Sequence, residues 1–508
     1  MLGGAPEVHA YFKYNSLLVP YWGDTICLAA LSEVVRSNRA LKLYVVFVST
    51  LLLLSLCYAI GAHGPTYQRA QVTVILLPFA INGFLTLGFY GFLVSSSIGI
   101  LILGLILRRG LITSVRFQIM IAMLLLVAYV FHPLPVMLSF LVPFVFVLSE
   151  VLNRPFKGWP DLFAFLKPRV WAVWPWLLPL GLILRFTSRF VPSNFRHSYS
   201  LGNSLGTRFV EMIRYDRLFI YVTPLPNSVI FIVLVAILGV WALLGEKNTT
   251  PPSRLRSTTL AILIMSVLLL FVVVPDEVGG GGFIGPRLVL EAIFYLGLLA
   301  LASEHFDPRL RTLCSLLAAA SVCTFAFEYS QVSHYLSPAL RELRSATDGL
   351  PKNARVVMLG YRMTPEIPSC DDWPLLERTT PQDHLALWGA ADEDLIVLND
   401  NTDYSRTFPI QYRDRRFASS LTSTSSPPSD KQKAVWSQFL SQDEPDVDYV
   451  ISWGSPSGVE GCTNPVDPPF QGGLATHFDR AVSQKGVSLV DVWRRRVYSS
   501  SVLPSSRQ

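Results

Sequence analysis

The chain has 508 residues, of which 51% are hydrophobic and only 15% are charged, and its mean hydropathy is +0.41. Soluble domains carry about 25% charged residues, so this composition excludes an ordinary soluble protein for most of the chain. The formal net charge of +6 is modest and does not indicate nucleic acid as a partner. Long apolar runs end at about residue 330, and this shift divides the chain into a membrane part and a soluble part.

The first 40 residues precede the first apolar run that is long enough to span a bilayer. Between Leu17 and Val35 the apolar residues recur at helical spacing, with Asp24 and Glu33 among them. This pattern predicts an amphipathic helix on the outer membrane surface. Asp24 then has two open interpretations, an exposed polar residue of that helix or a catalytic carboxylate.

A membrane span needs about 20 predominantly apolar residues. The segment 73–107 is nearly uncharged, but one helix of that length would be about 52 Å long. We expect two short spans there, reversing near Gly88–Gly91, with Asn82-Gly83 as a second weak point. With these two, about ten spans are predicted within residues 41–328. The other candidates are 41–62, 115–131, 134–152, 170–185, 226–244, 257–274, 287–302 and 310–328.

Lysine and arginine in short loops predict the orientation of the spans. The basic loops are 108–116, 153–169, 245–256 and, less strongly, 303–311. They alternate with the turn at 132–135 and the Asp276-Glu277 segment, which lack Lys and Arg. This alternation places the basic loops in the cytoplasm of a multi-pass cell-membrane protein. The soluble domain 329–508 and the segment 1–40 are then extracytoplasmic. Because no signal peptide precedes residue 41, we expect an earlier span to be missing from the chain.

After residue 330 the pattern becomes that of a small α/β domain. Residues 337–349 predict an amphipathic helix, and apolar runs at 355–361, 394–399, 448–453 and 488–493 have the length of buried strands. Helical patterns at about 381–391, 430–442 and 473–485 lie between them, which predicts a partly parallel sheet. No nucleotide-binding motif is present. Cys370 and Cys462 could pair in an external compartment or remain two thiols.

The order of parts is similar to that of the GT-C class of membrane glycosyltransferases: an external amphipathic segment, an apolar bundle, then an external α/β domain. The segment 82–92 (NGFLTLGFYGF) resembles a motif of bacterial proteins loosely assigned to that class. The resemblance implies a polyprenyl-phosphate-linked sugar as donor, membrane lipids as partners, and a role in cell-envelope glycan assembly.

Glycosyl transfer from a lipid phosphate needs a carboxylate base, and cations that stabilise the leaving phosphate. The candidate carboxylates on the external side are Asp24, Asp276 and Glu277, and the last two precede four consecutive glycines. The cation can be a divalent metal ion or arginine, and no metal-ligand motif is visible.

The predicted substrate-binding residues are mainly arginines on the external side. Arg208 and Arg214 lie in a loop, 186–225, that carries basic residues against the usual bias, and Arg287 lies at the mouth of a span. Arginine binds phosphate through two parallel hydrogen bonds, although attraction to anionic headgroups also explains these residues. The other predicted substrate-binding residues are His132 in a tight external turn, Asn82 and Tyr90.

Two other functions stay open from the sequence. One is a non-catalytic membrane scaffold that presents the external domain. The other is a transporter or flippase of a lipid-linked substrate. The absence of a visible internal repeat and the scarcity of charge at mid-span depth lower the transporter interpretation.

Overall fold

A computed structural model of the chain describes its helices and strands with gaps between them. The described residues are 12–14, 19–35, 37–60, 66–86, 88–111, 114–190, 206, 225–244, 251–274, 284–301, 307–360, 396–397, 410–412, 447–453, 478–482 and 490–496. They fall into two compact units. The first comprises residues 15–329 and 405–409, and the second comprises residues 1–14, 330–404 and 410–508.

Helices account for most of the described part of the first unit, and the last of them continues into the second unit from residue 330. In chain order they are α1 (Trp22–Val34), α2 (Ser37–Ile60), α3 (Thr66–Ala80), α4 (Gly83–Thr86), α5 (Tyr90–Arg109), α6 (Val115–Phe131), α7 (Pro133–Ser139), α8 (Leu141–Leu152), α9 (Trp159–Trp171), α10 (Leu177–Phe190), α11 (Leu225–Leu244), α12 (Pro251–Val273), α13 (Ile284–Leu301) and α14 (Pro308–Thr347). A short 3-10 turn, Trp174–Trp176, precedes α10.

Six described segments are long and apolar enough to cross a membrane. They are Arg39–Ile60, Tyr90–Arg109, Pro133–Leu152, Trp159–Ser188, Arg254–Val273 and Pro308–Phe327. Two shorter apolar helices, Val115–Phe131 and Val229–Ala242, lie among them. The prediction of a helical membrane bundle is confirmed at this level, and the count of about ten spans stays a prediction.

The uncharged stretch 73–107 is divided into separate helices, as its length requires. Helix α3 ends at Ala80 and α5 begins at Tyr90, with the single turn α4 between them. Gly88 has φ 80°, a left-handed conformation that glycine adopts without steric cost. The chain therefore reverses within 81–89, where the sequence predicts it.

The two ends of the bundle can be followed along α2. Near its start, Tyr44 donates a hydrogen bond to Asp24 of α1. Near its end, the Tyr58 ring stacks against Arg108, the guanidinium carbon lying 3.8 Å from the ring centre. We name these the His132 end and the Arg108 end, because His132 lies at the same end as Asp24. The side chain of Arg256, at the start of α12, also reaches the Arg108 end, where it donates to the Leu107 carbonyl at 3.2 Å.

The most extensive contact between two helices of the described part of the bundle is between α2 and α5. At Gly104 an added Cβ would lie 2.9 Å from the Ala59 Cα. Small residues let two backbones approach this closely in a bilayer, where van der Waals packing drives helix association. This packing fixes α5 in the centre of the bundle, and fourteen of its residues are buried.

Helix α14 is 40 residues long. It combines the predicted span 310–328 and the predicted amphipathic helix 337–349 in one element. A helix of 40 residues is about 60 Å long, roughly twice the thickness of a hydrocarbon core. Only part of α14 can therefore lie within a bilayer.

The described strands of the second unit form two sheets. β1 (Phe12–Tyr14) pairs antiparallel with β4 (Ile410–Tyr412). The second sheet has the strand order β3-β2-β5-β7-β6. These strands are β2 (Arg355–Gly360), β3 (Ile396–Val397), β5 (Tyr449–Trp453), β6 (Phe478–Val482) and β7 (Val490–Arg495). β2 is parallel to β3 and β5, and β7 is antiparallel to β5 and β6.

Strands lie at all four predicted apolar runs, and among the described strands β2 pairs parallel with β3 and β5. The assignment of the whole domain to the α/β class stays a prediction. The predicted helix at 473–485 is wrong where the structure describes it, because Phe478–Val482 is strand β6. Hydrogen bonds to β7 and burial of Phe478 favour the extended form there. The predicted helices 381–391 and 430–442 and the residues Cys370 and Cys462 lie outside the described residues.

Candidate functional site

Polar side chains from four parts of the bundle meet at its His132 end, around the first turn of α5. They come from α1, from the start of α2, from the turn between α6 and α7, and from the start of α13. Three of the predicted site residues, Asp24, His132 and Arg287, are among them. Asp24 lies on one side of this turn, and His132 and Arg287 lie on the other side.

Asp24 lies on one side of that turn. Its carboxylate accepts a hydrogen bond from the Tyr44 hydroxyl and one from the backbone N–H of Gly91. Burial raises the pKa of Asp24 to about 6, although both hydrogen bonds favour its charged form. A carboxylate with a pKa in this range can accept a proton near neutral pH, as a general base must.

Gly91 permits the close approach of Asp24 to α5. An added Cβ at this position would lie 2.6 Å from the Asp24 Oδ2 and 2.8 Å from the Phe131 carbonyl oxygen. Gly91 is the second residue of α5, and the first N–H groups of a helix have no partner within the helix. These N–H groups favour a negative group at the start of the helix, so the first turn of α5 orients the Asp24 carboxylate.

Arg287 lies on the other side of the turn, at the start of α13. It is only 6% exposed, and its guanidinium carbon is 4.4 Å from the centre of the Phe89 ring and 5.4 Å from that of Phe92. Such cation–π contacts stabilise a desolvated cation by up to about 2 kcal/mol. A terminal nitrogen, Nη1, lies 3.1 Å from the Nε2 of His132.

His132 joins Arg287 to the turn between α6 and α7. Its Nδ1 accepts from the backbone N–H of Leu134 at 3.2 Å, which caps α7, and its carbonyl accepts from the Ser95 hydroxyl at 2.9 Å. Burial and the nearby charge of Arg287 hold the pKa of His132 well below its usual range, so the ring is neutral.

A neutral imidazole has one acceptor nitrogen, and here two N–H groups lie within hydrogen-bond distance of the ring. The ring can accept from Leu134 or from Arg287, but not from both. When Nδ1 caps α7, Nε2 carries the proton and faces a second donor. Two adjacent donors of this kind suit an anionic oxygen, as in a phosphate or carboxylate site.

Tyr21 connects the Asp24 side with the Arg287 side. Its ring contacts the His132 ring edge-on, with the centroids 5.2 Å apart. Its backbone has φ 75°, a left-handed conformation that costs a residue with a side chain about 1–2 kcal/mol. Strain of this kind persists only where surrounding contacts hold it, and it is concentrated at functional sites.

Glu291 is a site residue that the sequence reasoning missed. It lies one helical turn after Arg287 on α13 and is only 2% exposed. Ser96 of α5 lies beside its carboxyl group, and the Tyr295 hydroxyl of α13 donates a hydrogen bond to it. The signal was present, because Glu291 is an acid inside the predicted span 287–302, and an ionisable residue within a span is by default a functional candidate.

Two predicted residues have structural contacts at this end. The Asn82 amide donates to the Phe79 carbonyl at 2.8 Å and its oxygen accepts from the N–H groups of Phe84 and Leu85 at 3.0 and 3.3 Å. These bonds cap α4. Tyr90 begins α5, and its ring packs edge-on against Tyr44 at 5.7 Å. The assignment of both to substrate binding stays a prediction.

The remaining predicted site residues, Arg208, Arg214, Asp276 and Glu277, lie outside the described residues. Within the described ranges, no group of three or more His, Cys, Asp or Glu side chains is placed to hold a metal ion.

Comparison with known proteins adds no relative. No protein-family model matches the chain, and no curated protein and no solved structure is significantly similar to it. Its function must therefore be argued from the geometry of the His132 end.

Proposed function

We propose that the protein is a membrane glycosyltransferase that uses a polyprenyl-phosphate-linked sugar as donor. The observation that carries this proposal is the placement of a carboxylate, Asp24, and a buried cation, Arg287, around one turn of α5. Transfer of a sugar from a lipid phosphate requires a base for the acceptor and a positive group for the leaving phosphate. Both chemical requirements are present at one end of the bundle.

In this proposal Asp24 accepts the proton of the acceptor hydroxyl as that oxygen attacks the anomeric carbon. The bond between the anomeric carbon and the phosphate oxygen breaks, and the lipid phosphate leaves with the bonding electrons. Arg287 stabilises the negative charge on the leaving phosphate, with the N–H of His132 as a second donor. Tyr44 and the N–H of Gly91 hold the carboxylate in place.

The proposal also implies an orientation of the bundle in the membrane. The described basic side chains Arg108, Arg109 and Arg256 lie at or near the Arg108 end, and basic loops favour the cytoplasm. The His132 end would then face the extracytoplasmic side, where envelope glycans are assembled. The resemblance to GT-C enzymes supports the same orientation and adds no residue-level evidence beyond it.

The test uses the purified full chain in lipid nanodiscs with a polyprenyl-phosphate-linked sugar that carries a label on the sugar. We expect release of labelled sugar to water or to an added acceptor. Asp24→Asn should reduce the rate by about 10²–10⁴-fold, the usual contribution of a general base. Asp161→Asn changes a carboxylate on α9 and should leave the rate unchanged. No release above protein-free nanodiscs would refute the enzyme proposal.

A transporter of the same class of lipid is a second candidate, and Glu291 favours it. Together with Arg287 it places two charged residue types inside the bundle, and such residues mark substrate or ion pathways in membrane proteins. A transporter would move the labelled lipid between leaflets of a vesicle without cleaving it. Measuring cleavage and translocation on the same lipid separates the two functions.

A further inference from the structure

The Glu291 carboxyl group has an unused hydrogen-bonding position inside the bundle. Its Oε1 atom is buried and makes no hydrogen bond, and the same holds for the hydroxyl oxygen of Ser96 beside it. The Tyr295 hydroxyl, one turn further along α13, bonds to the same carboxyl group. A buried polar group left without a partner costs about 1–3 kcal/mol, so two neighbouring ones need an explanation.

The position of these groups relative to Arg287 suggests what would satisfy them. Residues four apart on a helix lie on the same face, so Glu291 lies about one turn below Arg287. Helices α5 and α13 both begin at the His132 end. Moving one turn along α5 therefore corresponds to moving one turn along α13. Phe92 of α5 lies beside Arg287, and Ser96, four residues later, lies beside Glu291.

We propose that Glu291 and Ser96 form a subsite for the hydroxyl groups of a glycosyl phosphate whose phosphate lies at Arg287. Glu291 accepts a hydrogen bond from a sugar hydroxyl, and the Ser96 hydroxyl supplies a second bond. The ligand class is therefore a phosphate that carries a polyhydroxylated group, and not a bare lipid phosphate. This inference rests on the proposed function, because the phosphate is the group assigned there to Arg287.

The test compares two ligands that differ only in the sugar. The full chain in detergent micelles is titrated with a polyprenyl phosphate and with the same lipid carrying one hexose, and bound lipid is counted by native mass spectrometry. Glu291→Ala should weaken binding of the glycosylated lipid by about tenfold to a hundredfold, the value of a hydrogen bond to a charged group. Binding of the bare lipid phosphate should change by less than about twofold.

The serines of α5 provide a matched control. Ser96→Ala should reduce the preference for the glycosylated lipid. Ser97→Ala should leave it unchanged, because the Ser97 hydroxyl already donates to the Leu93 carbonyl at 2.7 Å. Glu291→Gln keeps the side-chain volume and one acceptor oxygen, so it should lie between wild type and Glu291→Ala. If Glu291→Ala does not fold, Glu291→Gln is compared with wild type in its place.

The outcomes separate this inference from the proposed function. Equal loss of both lipids in Glu291→Ala, or a wild type that binds them equally, overturns the hydroxyl subsite. Failure of the wild type to bind either lipid overturns the proposed function and the subsite with it. A soluble hexose 1-phosphate forms the third arm. Binding as tight as that of the lipid, with the same loss in Glu291→Ala, would support the subsite and overturn the lipid-linked donor.

Discussion

At the scale of single residues, Gly91 at the His132 end lies against two neighbouring groups. Gly91 is required by the approach of Asp24 and of the Phe131 carbonyl, and not by its backbone conformation, since it lies within the helix α5. Glycine in a helix is normally less favourable than alanine. At this position the order reverses, because the space that a methyl group would occupy is already filled.

We therefore predict that Gly91→Ala destabilises the bundle by about 1–3 kcal/mol, the usual cost of overpacking. The matched control is Gly99→Ala on the same helix, where an added Cβ has its nearest contact at 4.0 Å, the Pro135 carbonyl oxygen. That variant should stay within about 0.5 kcal/mol of wild type. Thermal unfolding in detergent measures both, and equal effects of the two substitutions would contradict the steric account.

At the scale of elements, the C-terminal sheet is held by a contact between its two central parallel strands. The Arg355 side chain of β2 donates to Asp448, which immediately precedes β5, at 2.9 Å from Nε and 2.6 Å from Nη2. The backbone N–H of Arg355 donates to the same carboxylate at 2.9 Å. Burial acts to raise the pKa of Asp448, but the bonds from Arg355 outweigh it and lower that pKa.

We predict that Asp448→Asn loosens β2 and β5. The pair is partly exposed, with 27% and 36% of the side chains accessible, so we expect about 1 kcal/mol. Because the folded pKa is lowered, this stabilisation is present above about pH 4 and is lost as the pH falls below it. Hydrogen exchange of the peptides 355–360 and 449–453 should become roughly fivefold faster at neutral pH.

The control for this prediction is another aspartate–arginine pair of the same sheet. Asp479 of β6 accepts from Arg496 at 2.7 Å, but its side chain is 66% exposed. Exposed ion pairs contribute little, so Asp479→Asn should leave the exchange of both peptides unchanged. A similar effect of both substitutions would show that net charge, and not the hydrogen-bonded pair, determines the stability of the sheet.

At the scale of the whole molecule, orientation in the membrane determines which chemistry the site can perform. The loops 108–116, 153–169 and 245–256 are predicted to be cytoplasmic, and the domain after residue 330 is predicted to be external. We expect reporter fusions after residue 110 and after residue 400 to be active on opposite sides of the membrane. Activity on the same side would contradict the orientation and remove the extracytoplasmic glycan substrate from consideration.

Much of the bundle could be predicted from sequence because a membrane helix is locally self-sufficient. Its backbone hydrogen bonds are all made within the segment, so an apolar run such as 115–131 is enough to predict α6. The strands β2 and β5 were also predictable from short apolar runs. The helix predicted at 473–485 was wrong at Phe478–Val482, because pairing with β7 decides the conformation of an edge strand more than local propensity does.

The sequence by itself determined where apolar helices form and where the stretch 73–107 reverses, and it offered Asp24, His132 and Arg287 as candidate site residues. Only the tertiary structure decided that Asp24 meets Gly91, that Arg287 meets His132, and that Glu291 meets Ser96. The physical reason is that lipid and helix partners are equally apolar. Hydrophobic periodicity then does not show which face of a span turns inward, and contacts between distant residues depend on how the helices are ordered and rotated.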